Sequence, residues 1–145
     1  MMRVVLDTNV FVSALLTPGS PPAGILELAL TGQLRLVISP GIIGEIGLVW
    51  QYPKVKKSLK KHRLSTEEVT DATIKILKVA TINPGVEIAP TVSPDPADDM
   101  VLACAVEGRA DFIISGDRDL TELESYEGIR IVTPAAFVKL LATPE

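Results

Sequence analysis

The chain reads as a single α/β domain built on an open, mainly parallel sheet. Two observations predict this class. Short apolar runs, mostly continuous in hydrophobicity as buried parallel strands are, occur at 3–6, 35–38, 86–88, 112–115 and 129–132. Between them lie segments with helical spacing and recognisable start and stop residues, and no linker, internal repeat or low-complexity tract interrupts the alternation.

Val4-Val5-Leu6 forms the first strand and ends at Asp7. Pro21-Pro22 opens a helix running to about Thr31 and stopping at Gly32, with Ile25, Leu26, Ala29 and Leu30 at helical spacing. After the strand at 35–38, Ser39-Pro40 supplies an N-cap and first helical position ahead of Ile42, Ile43, Ile46 and Val49. Ser65-Thr66-Glu67-Glu68 has the form of a capping box, and the helix behind it turns Val69, Ala72, Ile76, Leu77 and Ala80 inward. The segment 86–88 is the weakest strand candidate. Asp95-Pro96, with Asp98 three residues after Asp95, opens a helix over 97–107 that Gly108 ends. Phe112-Ile113-Ile114 leads to Asp117, and after 129–132 Thr133-Pro134 opens a last helix with Phe137, Leu140 and Leu141 inward.

With 145 residues, 47% of them apolar, the chain is long enough for one sizeable core and too apolar to be disordered. No apolar run is long enough to span a bilayer, and no signal-peptide pattern precedes the first strand. The single Cys104, in Ala103-Cys104-Ala105, excludes an internal disulfide, fits a reducing cytoplasm and reads as a small core residue. One histidine, His62, argues against a histidine-based zinc site. The net charge of −4 opposes broad, non-specific attraction to nucleic acid, although a carboxylate cluster awaiting a cation would itself lower the charge.

Four acids stand out: Asp7, Glu45, Asp99 and Asp117. Asp7 and Asp117 leave the carboxyl ends of the expected strands, where open α/β sheets bind ligands. Asp99 falls in the first turn of its helix, and Glu45 lies among Gly41, Gly44 and Gly47. Converging carboxylates repel one another and their pKa values rise, a penalty that a divalent cation removes. Each acid also has a plainer role: Asp95 and Asp98 as helix caps, Asp99 as a helix-dipole acid, Glu45 as a solvated charge, Asp117 and Asp119 as turn formers after Gly116. Asp7 is hardest to explain by packing.

These residues carry a resemblance. Val4–Ala14 (VVLDTNVFVSA), Ser39–Ile46 (SPGIIGEI), Pro94–Ala105 (PDPADDMVLACA) and Ala110–Leu120 (ADFIISGDRDL) are similar, in order and over almost the whole chain, to PIN domains of the bacterial and archaeal toxin branch related to VapC. The resemblance implies a three-layer α/β/α sandwich with a five-stranded, mainly parallel sheet. It implies an Mg²⁺- or Mn²⁺-dependent endoribonuclease that hydrolyses RNA phosphodiester bonds with metal-activated water, as the toxin of a toxin–antitoxin pair. The metal-binding, catalytic acids would be Asp7, Glu45, Asp99 and Asp117, with Asp119 as an additional acid and Asn9 and Ser115 orienting them. Asp98 is the alternative to Asp99, which is preferred because Met100–Ala105 aligns best in that register. An antitoxin protein and a second copy of the chain are the implied partners. A non-catalytic PIN-like RNA- or protein-binding module is the alternative function.

Two other phosphate chemistries are excluded by particular residues. A phosphatase of the haloacid-dehalogenase kind needs an aspartate two residues after the first, where this chain has Asn9. A response-regulator receiver needs an acidic pair after the first strand and a lysine after the last, where Asp7 stands alone and Thr133 follows. The one basic block, with Lys54, Lys56, Lys57, Lys60, Lys61 and Arg63, is either a solvated helix face or a contact for RNA phosphates or an acidic partner peptide. Trp50 and Tyr52 ahead of it read as core or dimer packing rather than base stacking.

Overall fold

The computed structural model describes residues 1–142. In chain order the elements are β1 Arg3–Leu6, α1 Thr8–Leu16, α2 Pro21–Leu30, β2 Arg35–Ile38, α3 Pro40–Val49, α4 Pro53–Lys61, α5 Thr66–Val79, β3 Thr81–Ile82, α6 Pro96–Glu107, β4 Phe112–Ile114, α7 Arg118–Thr121, β5 Ser125–Tyr126, β6 Ile129–Val132 and α8 Pro134–Ala142. The sheet order is β3-β2-β1-β4-β6-β5, parallel throughout except for the β5–β6 pair, and helices flank it in an α/β/α arrangement. Val4, Val5, Ile113 and Ile114 are wholly buried at the sheet centre, the signature of strands covered on both faces.

The sheet has six strands rather than five, and one expected strand is displaced. Residues 86–88 are not a strand: the N–H groups of Gly85, Val86 and Glu87 all donate to the Glu107 carboxylate, at 2.8, 2.7 and 2.9 Å, so they are spent on a loop. Val86 and Ile88 are correspondingly exposed. The strand position is taken by Thr81–Ile82, which follows α5 directly and pairs with β2. The sixth strand, β5, joins β6 through Glu127 and Gly128, whose φ angles of 48° and 81° are the double positive pair of a type I′ hairpin turn.

The caps read from sequence are in place. Ser39 caps α3, Ser65 and Glu68 form both bonds of the capping box, and Asp95 accepts from the Ala97 N–H; Ser20, which the sequence reading did not single out, caps α2. Phe137 of α8 is buried, but Leu140 and Leu141 are exposed, contrary to the inward expectation. Leu30 at the end of α2 is exposed too. Cys104 is a buried core thiol beside Val37 and Asn83, and burial pushes it up to about 11. Trp50 is core, as expected, with its indole N–H unpaired among the described residues; Tyr52 is instead half-exposed.

Chain order sets the place of the site. β1 is followed in the sheet by β2 on one side, while β4 enters on its other side, so the direction of winding reverses between β1 and β4. At such a switch point the loops leaving adjacent strands diverge and open a crevice.

Candidate active site

Asp7 and Ser115 are the first residues beyond the paired ends of β1 and β4. The Asp7 N–H still donates to the Ile114 carbonyl at 3.1 Å, so the backbone ladder holds up to the point where the chains part. Asp7 then caps α1, its Oδ1 accepting from the Val10 N–H at 2.9 Å. Its Oδ2 accepts from the buried Ser115 hydroxyl. The Ser115 oxygen in turn accepts from the Asp117 N–H at 2.9 Å, and Asp117 Oδ1 accepts from the Asp119 N–H at 2.9 Å. One chain of hydrogen bonds therefore connects the acids of both strand ends.

The remaining wall comes from helices. Asp7, Thr8, Asn9, Glu45, Asp95, Asp98 and Asp117 line a small cleft at the sheet edge, with about 40 Å³ of free volume. That is room for an ion and a few oxygens around it, not for a nucleotide. One carboxylate oxygen from each of Asp98, Asp117 and Asp119 lies within 4.8 Å of the others. Asp7 and Glu45 face the same cleft outside that group. All these donors are hard oxygens, with no thiolate or imidazole among them, a set that suits a hard divalent cation rather than zinc.

The electrostatics match a crowded anionic site. Burial raises the Asp7 carboxyl above its ordinary range, and the Asp117 charge adds to this against the Ser115 and Val10 hydrogen bonds. Glu45 is raised by burial and then by the charges of Asp95 and Asp7, while a hydrogen bond with the Thr8 side chain opposes the rise. Asp98 is pushed up to about 7, first by burial and then by its contact with Asp117 and the charge of Asp95, with the Ser93 hydroxyl working the other way. Every resolved shift in the cleft is upward, the direction that burial and mutual repulsion of carboxylates impose.

The residue on α6 that enters the cleft is Asp98, where Asp99 was expected. Successive helical residues project about 100° apart, so only one of two adjacent acids can face a given wall. Asp98 does so, held by the Ser93 hydroxyl at 3.0 Å. Asp99 is equally buried but turned to the preceding loop, where its Oδ1 accepts from the Val92 and Ser93 N–H groups at 3.1 and 2.9 Å. Asp7, Glu45, Asp117, Asp119, Asn9 and Ser115 are all at or beside the cleft. The basic residues from Lys54 to Arg63 lie apart from it, exposed on α4 and just beyond.

Sequence reasoning passed over three contributors. Thr8 is buried and hydrogen-bonded to Glu45, Ser93 braces Asp98, and Asp95 adds charge to the cleft while capping α6. Thr8 was legible as the residue after the strand-ending acid; Ser93 carried no signal at all.

The sequence profile of the PIN domain matches residues 3–119. An uncharacterized protein of Methanocaldococcus jannaschii, MJ1680, is 31% identical over 147 aligned positions that cover 95% of this chain and 90% of that protein. A chain in the crystal structure of VapBC2 from Rickettsia felis, bound to a DNA fragment from their promoter, aligns over 90% of this chain and 97% of its own with a TM-score of 0.47 and 17% identity, a likeness that carries no function across. The profile spans both strand ends and both helices that build the cleft, and on that match the chain belongs to the PIN domain family.

Proposed function

We propose that this protein is a metal-dependent endoribonuclease that hydrolyses RNA phosphodiester bonds with Mg²⁺ or Mn²⁺. The observation that carries the reading is the convergence of Asp98, Asp117 and Asp119 oxygens in one cleft, with Asp7 and Glu45 beside them, at the winding reversal of the sheet. A non-catalytic binding module has no use for raised, mutually repelling carboxylates, which cost stability unless a cation is held.

Asp98, Asp117 and Asp119 would hold the ion, with Asp7 and Glu45 completing its surroundings. When bound, the ion supplies neutralising charge for a phosphodiester and makes water a stronger nucleophile near neutral pH. The chain's own residues do the rest. Ser115 and the Val10 N–H fix both oxygens of Asp7. Glu45, which lines the same cleft and whose carboxyl burial pushes up, would accept a proton from water. Asn9, exposed at the rim, offers an amide to a phosphate oxygen.

The test is cleavage of single-stranded RNA by purified protein in Mn²⁺ against EDTA. Cleavage in Mn²⁺ that is lost in EDTA and in a folded Asp7→Asn variant supports the reading; intact RNA in Mn²⁺ defeats it and favours the binding module. The reading extends to the toxin branch of the family, with an antitoxin protein and a second copy as partners and a cytoplasmic setting. Family resemblance supports that extension, and co-purification with the product of an adjacent gene would test it. No helix among the described residues is long and apolar enough to cross a membrane.

A further inference from the structure

The acid cleft cannot seat a nucleotide, so the substrate must be gripped outside it. A second, open depression of about 650 Å³ adjoins the cleft and shares Glu45, Asp95 and Ala97 with it. That volume falls within the roughly 300–1,000 Å³ of ligand pockets. Its floor is the glycine face of α3, where Gly44 is open: a Cβ built there meets nothing within 4 Å. Leu48, 62% exposed, and Tyr52, 49% exposed, stand at the far end from the acids. They give the depression an exposed apolar wall that includes an aromatic ring.

Beyond Tyr52 the chain enters α4. Six cations lie between Lys54 and Arg63, and no acid occurs from Ile46 to Thr66. With six positive charges here and −4 overall, the other residues carry −10. The ion pair found among the described residues is Arg118–Glu122, so the α4 lysines are exposed without carboxylate partners. An acidic protein thus presents, in sequence from the cleft, a cation-hungry pocket, an apolar trough with an aromatic ring, and an unneutralised basic helix.

We propose that this trough seats the nucleotide flanking the scissile phosphate of a single-stranded RNA, with Tyr52 as its stacking platform and the α4 lysines holding phosphates further along the strand. The inference rests on the ribonuclease reading for the position of the scissile bond. An unpaired base offers an apolar face to Tyr52 and Leu48 while its backbone offers charge to the lysines, the combination by which single strands are bound without strict sequence preference. An acidic peptide would satisfy the lysines but offers no planar apolar face to Tyr52 and Leu48.

The experiment measures anisotropy of a labelled oligouridylate with the full chain in Ca²⁺, alongside the Mn²⁺-induced thermal shift. Tyr52→Ala and Gly44→Leu are expected to weaken RNA binding on the order of tenfold to a hundredfold, the range of one lost base stack. Tyr52→Phe keeps it, and Lys56→Glu with Lys60→Glu flattens its salt dependence. The Mn²⁺ shift stays at the parent value in all of them, which separates the trough from the metal centre. Tyr52→Ala binding RNA like the parent overturns the proposal, as does a parent protein that binds no RNA. So does Tyr52-dependent binding of oligoglutamate in place of RNA, which would assign the surface to a protein partner. Tyr52-dependent RNA binding without cleavage in Mn²⁺ leaves the trough standing and removes the hydrolysis.

Discussion

The Ser115 hydroxyl donates to the Asp7 carboxylate, bridging the ends of the two strands between which the winding of the sheet reverses. The same oxygen accepts from the Asp117 N–H, so one small side chain sets the spacing of acids 110 positions apart in sequence. Ser115→Ala removes both bonds and leaves Asp7 with its helix-capping contacts to the Val10 and Asn9 N–H groups. Partners that orient a metal ligand are worth roughly 10- to 100-fold in affinity or activity. We expect Mn²⁺ affinity by calorimetry and RNA cleavage rate to fall by about that factor while circular dichroism is unchanged. Parent-like Mn²⁺ affinity in Ser115→Ala would show that the bridge does not orient the site.

Asp98 and Asp99 adjoin in sequence and diverge in role. Asp98→Asn takes a charge from the cleft, and we expect it to abolish the Mn²⁺-induced rise in melting temperature and with it cleavage. Asp99→Asn leaves the cleft acids in place but weakens acceptance from the Val92 and Ser93 N–H groups, so its effect falls on the loop. Charge-assisted bonds of this kind contribute about 1.5–3 kcal/mol each. The expected result is a lower denaturant midpoint with Mn²⁺ binding retained. The reverse pattern would move the ligand back to Asp99.

That pair also shows where the sequence stops being legible. Asp7 and Asp117 were readable because each ends a buried apolar run, and a strand end in an α/β sheet has only one edge to face. The choice between Asp98 and Asp99 depends on one step of helical rotation, which the position of the Asp95 cap and the path of residues 92–95 decide. The loop mistaken for a strand at 86–88 has the right apolar residues, but its amides go to Glu107, some 20 positions away. Helix α1 was hidden because Val10, Phe11, Val12, Ala14 and Leu16 are all buried, leaving little apolar period to read. Helix α4 was legible only as a solvated helix face, because Val55 and Leu59 alone mark its inward side among the cations.

The raised acids fix the sign of a pH dependence. Asp98 has a folded pKa of about 7 against an ordinary 3.8, and Asp7 and Glu45 are raised in the same direction. The folded state therefore binds more protons than the unfolded chain between those values. The stability these groups contribute is fully present below about pH 4 and is lost as pH rises towards and through 7. We expect melts in EDTA to show a falling midpoint over that window, and Mn²⁺ to raise the midpoint more at pH 8 than at pH 5. Asp98→Asn should flatten much of the EDTA slope. A midpoint in EDTA that climbs with pH would contradict the crowding of these carboxylates.

Gly108, which ends α6, sits where the helix comes down on β2. A Cβ there would lie 2.2 Å from Val37 Cγ1 and 3.0 Å from Asn83 Nδ2. Its φ of −84° is ordinary, so the requirement for glycine is one of space rather than backbone conformation. Val37 is buried in the core, and Asn83 is tied to the Cys104 carbonyl at 3.0 Å, so neither neighbour yields easily. Gly108→Ala is expected to cost about 1–3 kcal/mol, the range for overpacking a filled core. Val37→Ala alone leaves a cavity and is also destabilising, but it removes the clashing methyl. The double variant should therefore be more stable than the sum of the two single losses, by roughly 0.5 kcal/mol or more. Urea denaturation of the four proteins measures this coupling, and strict additivity would show that the helix end shifts away from the strand instead of pressing on it.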